Sequence, residues 1–143
     1  WKLRRNCLES TRVLSLVSTS DDLVVPVDQI ANCIRHLTRV AENYSFKLFT
    51  LAHAGDGNLH PSILCDRRDK EEFARVERAV DDLFNAALEL GGTLSGEHGI
   101  GTAKIKWLEQ ETSHGTIMFS RRLRKAFDPK GLFNPSKIVG FGD

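Results

Sequence analysis

Apolar residues recur at helical spacing after Val27-Asp28, where Ile30, Ile34, Leu37 and Ala41 stand three or four positions apart. Arg35, Arg39 and Glu42 fall on other faces, so the pattern predicts an amphipathic helix opened by Val27-Asp28. Cys33 sits beside that stripe as a small core residue. A longer helix is predicted over residues 70–90. Phe73, Val76, Val80, Leu83 and Ala87 form its buried stripe, and Glu71, Glu72, Arg75, Arg78 and Asp82 its wet side. Gly91-Gly92 ends it in the manner of a left-handed cap.

Between the two helices the period changes to two. Phe46, Leu48 and Thr50 alternate with Lys47, Phe49 and Leu51, which predicts a strand over residues 45–52 and a return strand over 61–65. Upstream, residues 1–10 suit the end of a helix, and Val13, Ser15, Val17 and Thr19 alternate as a strand would. Leu23-Val24-Val25-Pro26 reads as extended, since Pro26 disfavours helix before it. Downstream, helical character returns from Lys104 through Trp107-Leu108, breaks near Ser113-His114-Gly115 and resumes over 117–127. Asp128-Pro129-Lys130-Gly131 then marks a turn. The order β-α-β-β-α followed by helices predicts an α+β fold: an antiparallel sheet with helices packed on one face, plus C-terminal helices.

Composition narrows the function classes. At 143 residues with a net charge of +1, the chain has the size of one domain and no basic stripe suited to nucleic acid. No apolar run reaches the length of a membrane span. Three widely spaced cysteines without a CxxC suit single thiols in a reducing, cytoplasmic setting rather than a metal–thiolate site. The chain starts at Trp1 and has no signal-like apolar core, so it reads as a piece of a longer protein.

Two stretches carry candidate chemistry. In His53-Ala54-Gly55-Asp56-Gly57-Asn58-Leu59-His60, Asp-Gly is a strong hairpin signal. Folding about the Asp56–Gly57 bond would pair His53 with His60, so that both imidazoles converge on one ion or substrate. The second stretch, residues 93–102, surrounds Glu97-His98 with glycines that let a backbone approach something closely. Two histidines with Glu97 or His98 make a sensible site for Zn²⁺, Mn²⁺ or Fe²⁺, with positions left open for a substrate. The same residues also suit a plain hairpin and a plain loop. Gly-Ile-Gly is a weak phosphate signal here, because no βαβ pattern precedes it. The basic group Arg121, Arg122, Arg124 and Lys125 reads as a wet helix face.

Three segments in order carry a resemblance: His-Ala-Gly-Asp-Gly-Asn-Leu-His-Pro (53–61), Gly-Gly-Thr-Leu-Ser-Gly-Glu-His-Gly-Ile-Gly (91–101), and Phe-Asp-Pro-Lys-Gly-Leu-Phe-Asn-Pro (127–135) with Lys137-Ile138. Together they resemble the C-terminal region of FAD-linked 2-hydroxy-acid oxidoreductases of the vanillyl-alcohol-oxidase type, the glycolate oxidase and D-lactate dehydrogenase group. The resemblance implies a substrate- and metal-side domain over 1–143, a ferredoxin-like cap region, with an FAD-binding domain N-terminal to it. It implies a divalent metal on His53, His60 and Glu97, and His98 as the base for the substrate hydroxyl. Asn134 and Lys137 would lie near the flavin, and Arg4 would hold the substrate carboxylate. Ser136 stands where the family usually has glycine, at a position expected to need positive φ. Ser20 and Ser62 replace a lysine and an asparagine of some relatives, which favours a small acid such as glycolate or D-lactate. The implied partners are the 2-hydroxy acid, the flavin domain and other oxidase subunits, through which a cytoplasmic protein could sit at a membrane. From residue types alone, a metal-binding assembly module of a multi-subunit oxidoreductase is the alternative.

Overall fold

A computed structural model describes Lys2, Asn6 and residues 17–66 and 68–138, with backbone alone for 17–20. Arg4, the start of the predicted upstream strand and residues 1–10 other than the helical Lys2 and Asn6 lie outside the described residues. Two compact units divide the chain, Trp1–Thr93 and Leu94–Asp143.

The first unit is an antiparallel sheet with two helices. Its elements are β1 (Val17–Ser20), β2 (Leu23–Val24), a 3₁₀ turn (Val27–Gln29), α1 (Ile30–Asn43), β3 (Lys47–His53), β4 (Asn58–Cys65) and α2 (Lys70–Glu89). β4 is central, with β3 on one side and both β1 and β2 on the other. β1 and β2 share one register, since Ser20 faces Ser62 and Leu23 faces Leu59. They form one edge interrupted at Asp21-Asp22. Pro61 explains the interruption. Its carbonyl accepts the Asp21 N–H at 3.0 Å, but a proline has no N–H to return to Asp21. Half of that ladder step is missing, and the edge breaks there.

One face of β4 is the core. Leu59, Pro61, Ile63 and Cys65 are buried, as are Leu23 from β2, Cys33 and Leu37 from α1, and Val76, Leu83, Phe84 and Ala87 from α2. Burial pushes the Cys33 thiol up to about 11, which suits a packing role and an inert thiol. The predicted helices are present, with one shift of face. The buried stripe of α1 is Cys33, Leu37, Val40 and Ala41, while Ile34 is exposed. Asp69 caps α2 by accepting from the Glu71 and Glu72 N–H groups, and Gly91 follows the helix at φ +76°.

The second unit carries α3 (Ile105–Glu111) and α4 (His114–Phe127). Ser113 caps α4, accepting from Thr116 N–H at 3.1 Å, so the predicted break at Ser113 is the helix start. Phe119, Leu123 and Phe127 form an exposed apolar stripe along α4, and Leu132 and Phe133 in the following segment are exposed as well. No helix among the described residues is long and apolar enough to cross a membrane.

Candidate functional site

The face of β4 opposite the core carries Asn58, His60 and Ser62. The hairpin that presents them differs from the symmetric fold expected of its sequence. His53 pairs with Asn58, and Leu51 pairs with His60, with residues 54–57 as the connecting loop. A bond from Asp56 N–H to His53 O at 3.2 Å closes the turn, and the Asp56 carboxylate accepts Asn58 N–H at 3.2 Å. Asp56 therefore closes the loop from within instead of splitting it at Asp-Gly. His53 and His60 are diagonal neighbours, not direct partners, but they still share a face. Their ring centroids lie 5.3 Å apart at an interplanar angle of 89°. Their ligating nitrogens come within 4.8 Å of each other. The imidazoles converge as the sequence predicts, by a different register.

Gly57 ties this loop to the opposite edge. It has φ +80°, and its carbonyl accepts Val25 N–H at 3.1 Å. Asn58 is buried, and its Oδ1 has no hydrogen-bond partner among the described residues. The same face thus offers two imidazoles and a carbonyl oxygen to a bound polar group. Asp22, which carries no site role in the sequence-based expectations, is fully buried and within 4.8 Å of a His60 ring nitrogen. The alternation out of Leu23 was a signal for it: the residue before a core-facing leucine points to the other face.

In the second unit, Glu97 and His98 project from a loop with both side chains about half exposed and 4.0 Å between Oε1 and Nε2. The loop has a buried base. Lys104 Nζ donates to Leu94 O at 2.6 Å, and Leu94 N–H donates to the Glu111 carboxylate at 3.2 Å. Ser95 Oγ accepts Gly99 N–H at 2.7 Å, bracing the turn that bears Glu97 and His98.

Asn134 and Lys137 lie in the segment after α4 and are exposed. Arg124, read from sequence as part of a wet helix face, instead grips this segment. Its guanidinium donates to Lys137 O and Phe133 O, each at 2.7 Å, and to Asn134 O. Buried Asp128 accepts Phe133 N–H at 2.8 Å and Leu132 N–H at 3.0 Å. Burial raises the Asp128 pKa, but those N–H groups, Arg124 and Gly131 N–H more than offset it and leave it below the ordinary carboxylate value. Ser136 adopts φ +62°, so the backbone conformation expected of a glycine position is taken by serine.

The first unit converges two imidazoles on the polar face of an antiparallel sheet, and the second carries a glycine-rich loop bearing Glu97 and His98 and a tail clamped by Arg124 and Asp128. The chain belongs to the family described as FAD linked oxidases, C-terminal domain, whose match covers residues 1–138. It is 40% identical over 135 residues to the glycolate oxidase subunit GlcD of Bacillus subtilis, covering 94% of this chain and 29% of that protein. Similarity to the Escherichia coli K12 glycolate oxidase subunit GlcD is 34% over 139 residues, covering 97% of this chain and 28% of that protein. The mitochondrial D-lactate dehydrogenase [cytochrome] of Arabidopsis thaliana is 32% identical over 141 residues, 97% of this chain and 25% of that protein. The chain thus spans under a third of the length of these relatives.

Proposed function

We propose that this chain is the substrate- and metal-side domain of an FAD-dependent oxidoreductase that converts a small 2-hydroxy acid, of the glycolate or D-lactate class, to the 2-oxo acid. The observation that carries the reading is the imidazole pair. His53 and His60 share the polar face of the sheet with rings 5.3 Å apart, in a chain of the FAD linked oxidase family.

The donor chemistry fits a divalent ion. Two neutral imidazole nitrogens and the Glu97 carboxylate suit Zn²⁺, Mn²⁺ or Fe²⁺ and leave coordination positions for substrate oxygens. A bound ion would supply positive charge that lowers the pKa of the substrate hydroxyl and polarises its oxygens. Bound FAD, held mainly by a domain N-terminal to this chain, would supply the acceptor for the α-hydrogen and its electron pair.

The chain's own residues do the rest. His98 accepts the hydroxyl proton at a ring nitrogen, a role for which an imidazole is suited near neutral pH. Arg4 holds the substrate carboxylate, which fixes which face of the α-carbon is presented. Asn134 and Lys137 contribute to the flavin side, and Arg124 and Asp128 keep their segment in shape. Ser20 pairs in backbone register with Ser62, two residues along β4 from His60, and serines at these two positions are the basis for the short-acid preference. The exposed stripe of Phe119, Leu123 and Phe127 is available to the flavin domain. We place the protein in the cytoplasm, with partner subunits as the route to any membrane association.

Anaerobic mixing of the full-length, flavin-loaded protein with a panel of 2-hydroxy acids tests the function. Bleaching of the flavin by glycolate or D-lactate is the expected result. A flavin that stays oxidised with every small 2-hydroxy acid overturns the assignment.

A further inference from the structure

The break between β1 and β2 puts a carboxylate in an unusual place. The shared register that joins Ser20 to Ser62 and Leu23 to Leu59 sets Asp22 directly opposite His60. Because Asp21 N–H bonds to Pro61 O, the neighbouring Asp22–His60 pair is a non-hydrogen-bonded one. In such pairs the Cα atoms approach to about 4.5 Å and the side chains stand closest. Both side chains therefore share the polar face. Asp22 is 0% exposed, and one of its carboxylate oxygens lies within 4.8 Å of a His60 ring nitrogen. A carboxylate taken wholly out of water is costly unless charge or donors compensate it. The imidazole facing it across the strand is a donor of the right kind.

We infer that Asp22 is the positioning residue for His60: its carboxylate accepts the proton of one ring nitrogen, fixing the tautomer and turning the other nitrogen's lone pair toward the ion. The inference rests on the metal role proposed for His60. It also gives the Pro61 break a purpose. A continuous ladder at that step would draw the edge into regular pairing, whereas the missing N–H leaves Asp21-Asp22 as a short irregular link. The cross-strand neighbour of His53 in register is Asn58, an amide and not a carboxylate. The two imidazoles are thus held by different means, one by a carboxylate and one by the loop that Gly57 anchors.

Chelator competition on the full-length, flavin-loaded protein provides the test, with Asp22→Asn and His60→Ala compared with the unmutated form. Loss of an outer partner of this kind costs about 10- to 100-fold in metal affinity, and that drop is expected for Asp22→Asn with flavin loading intact. Affinity equal to the unmutated protein overturns the inference. Loss as complete as that of His60→Ala also overturns it, because Asp22 would then be a ligand. Should His60→Ala bind metal normally, it is the ligand reading of His60 that fails. A second readout needs no variant of Asp22. Nitrogen-15 spectra of the metal-free protein, with His60 assigned by its absence in His60→Ala, should show one imidazole tautomer; averaging between both tautomers overturns the proposal.

Discussion

Replacing Gly57 with alanine puts a methyl group where the backbone of Val25 already stands. A Cβ built on Gly57 would lie 2.0 Å from the Val25 carbonyl oxygen, and that atom has no side-chain rotamer with which to give way. The left-handed conformation itself costs an L-residue about 1–2 kcal/mol. Moving the loop also removes the Val25 N–H to Gly57 O bond, worth about 1 kcal/mol. Local opening of the hairpin should therefore become easier by about 2–3 kcal/mol, which corresponds to roughly 30- to 150-fold faster amide exchange. Hydrogen–deuterium exchange of the full-length protein, read on β3 and β4 peptides, measures this directly. Gly55 is the control from the same loop. It has no positive φ, and a Cβ there meets nothing within 4 Å. Gly55→Ala should stay within about 0.5 kcal/mol of the parent. Equal exchange in the two variants would refute the claim that the histidine loop is anchored through Gly57.

In the full-length enzyme, His98→Ala should lower the rate of flavin reduction by about 100-fold or more while leaving metal affinity near that of the parent; an unchanged reductive half-reaction removes His98 as the base. Asp128 has a folded-state pKa below its ordinary 3.8, so its contribution to the tail is complete above that value and is lost as pH falls through the lower folded-state one. Amide protection over residues 131–138 should follow that loss, and protection that persists in acid contradicts the role given to Asp128. Ser136→Gly relieves a φ of +62° and should slow exchange in the tail by up to about tenfold, the part of roughly 1 kcal/mol left after glycine's entropy. Faster exchange would mean that the serine side chain itself holds the tail.

The helices were legible because their burial is a matter of period. In α2 the predicted Val76, Leu83 and Ala87 are buried, joined by Ala79, Phe84 and Ala86, while Phe73 and Val80 are half-buried; Asp69 and Gly91 bound it as a cap and a stop should. In α1 the reading put Ile34 in the stripe and Cys33 beside it as a core residue; the fold buries Cys33 and exposes Ile34, because adjacent positions differ in face by a rotation that spacing alone fixes loosely. The hairpin was legible, and its register was not. Asp-Gly suggested a two-residue turn, but Asp56 uses its carboxylate on Asn58 N–H and Gly57 is held by Val25, a residue over thirty positions away in sequence. That tertiary bond leaves no local trace.

The same limit hid Asp22 and Arg124. Asp22 stands opposite His60 because β1 and β2 keep one register with β4 across the break at Pro61, a relation between strands. Arg124 looks like any solvated cation until the tail folds back and presents three carbonyls to it. Residue types singled out His53, His60, Glu97 and His98 as candidates, whereas the groups that surround them come from pairing and packing. Sites of this kind are read from sequence by their donors and from structure by their supports.

The central claim is that His53, His60 and Glu97 hold one divalent ion for the oxidation of a small 2-hydroxy acid. Metal analysis of the full-length, flavin-loaded protein beside its His53→Ala, His60→Ala and Glu97→Ala variants tests it most directly. About one divalent ion per chain is expected in the unmutated protein and loss of that ion in each variant, with flavin loading and circular dichroism unchanged. A full complement of metal in any of the three would contradict it.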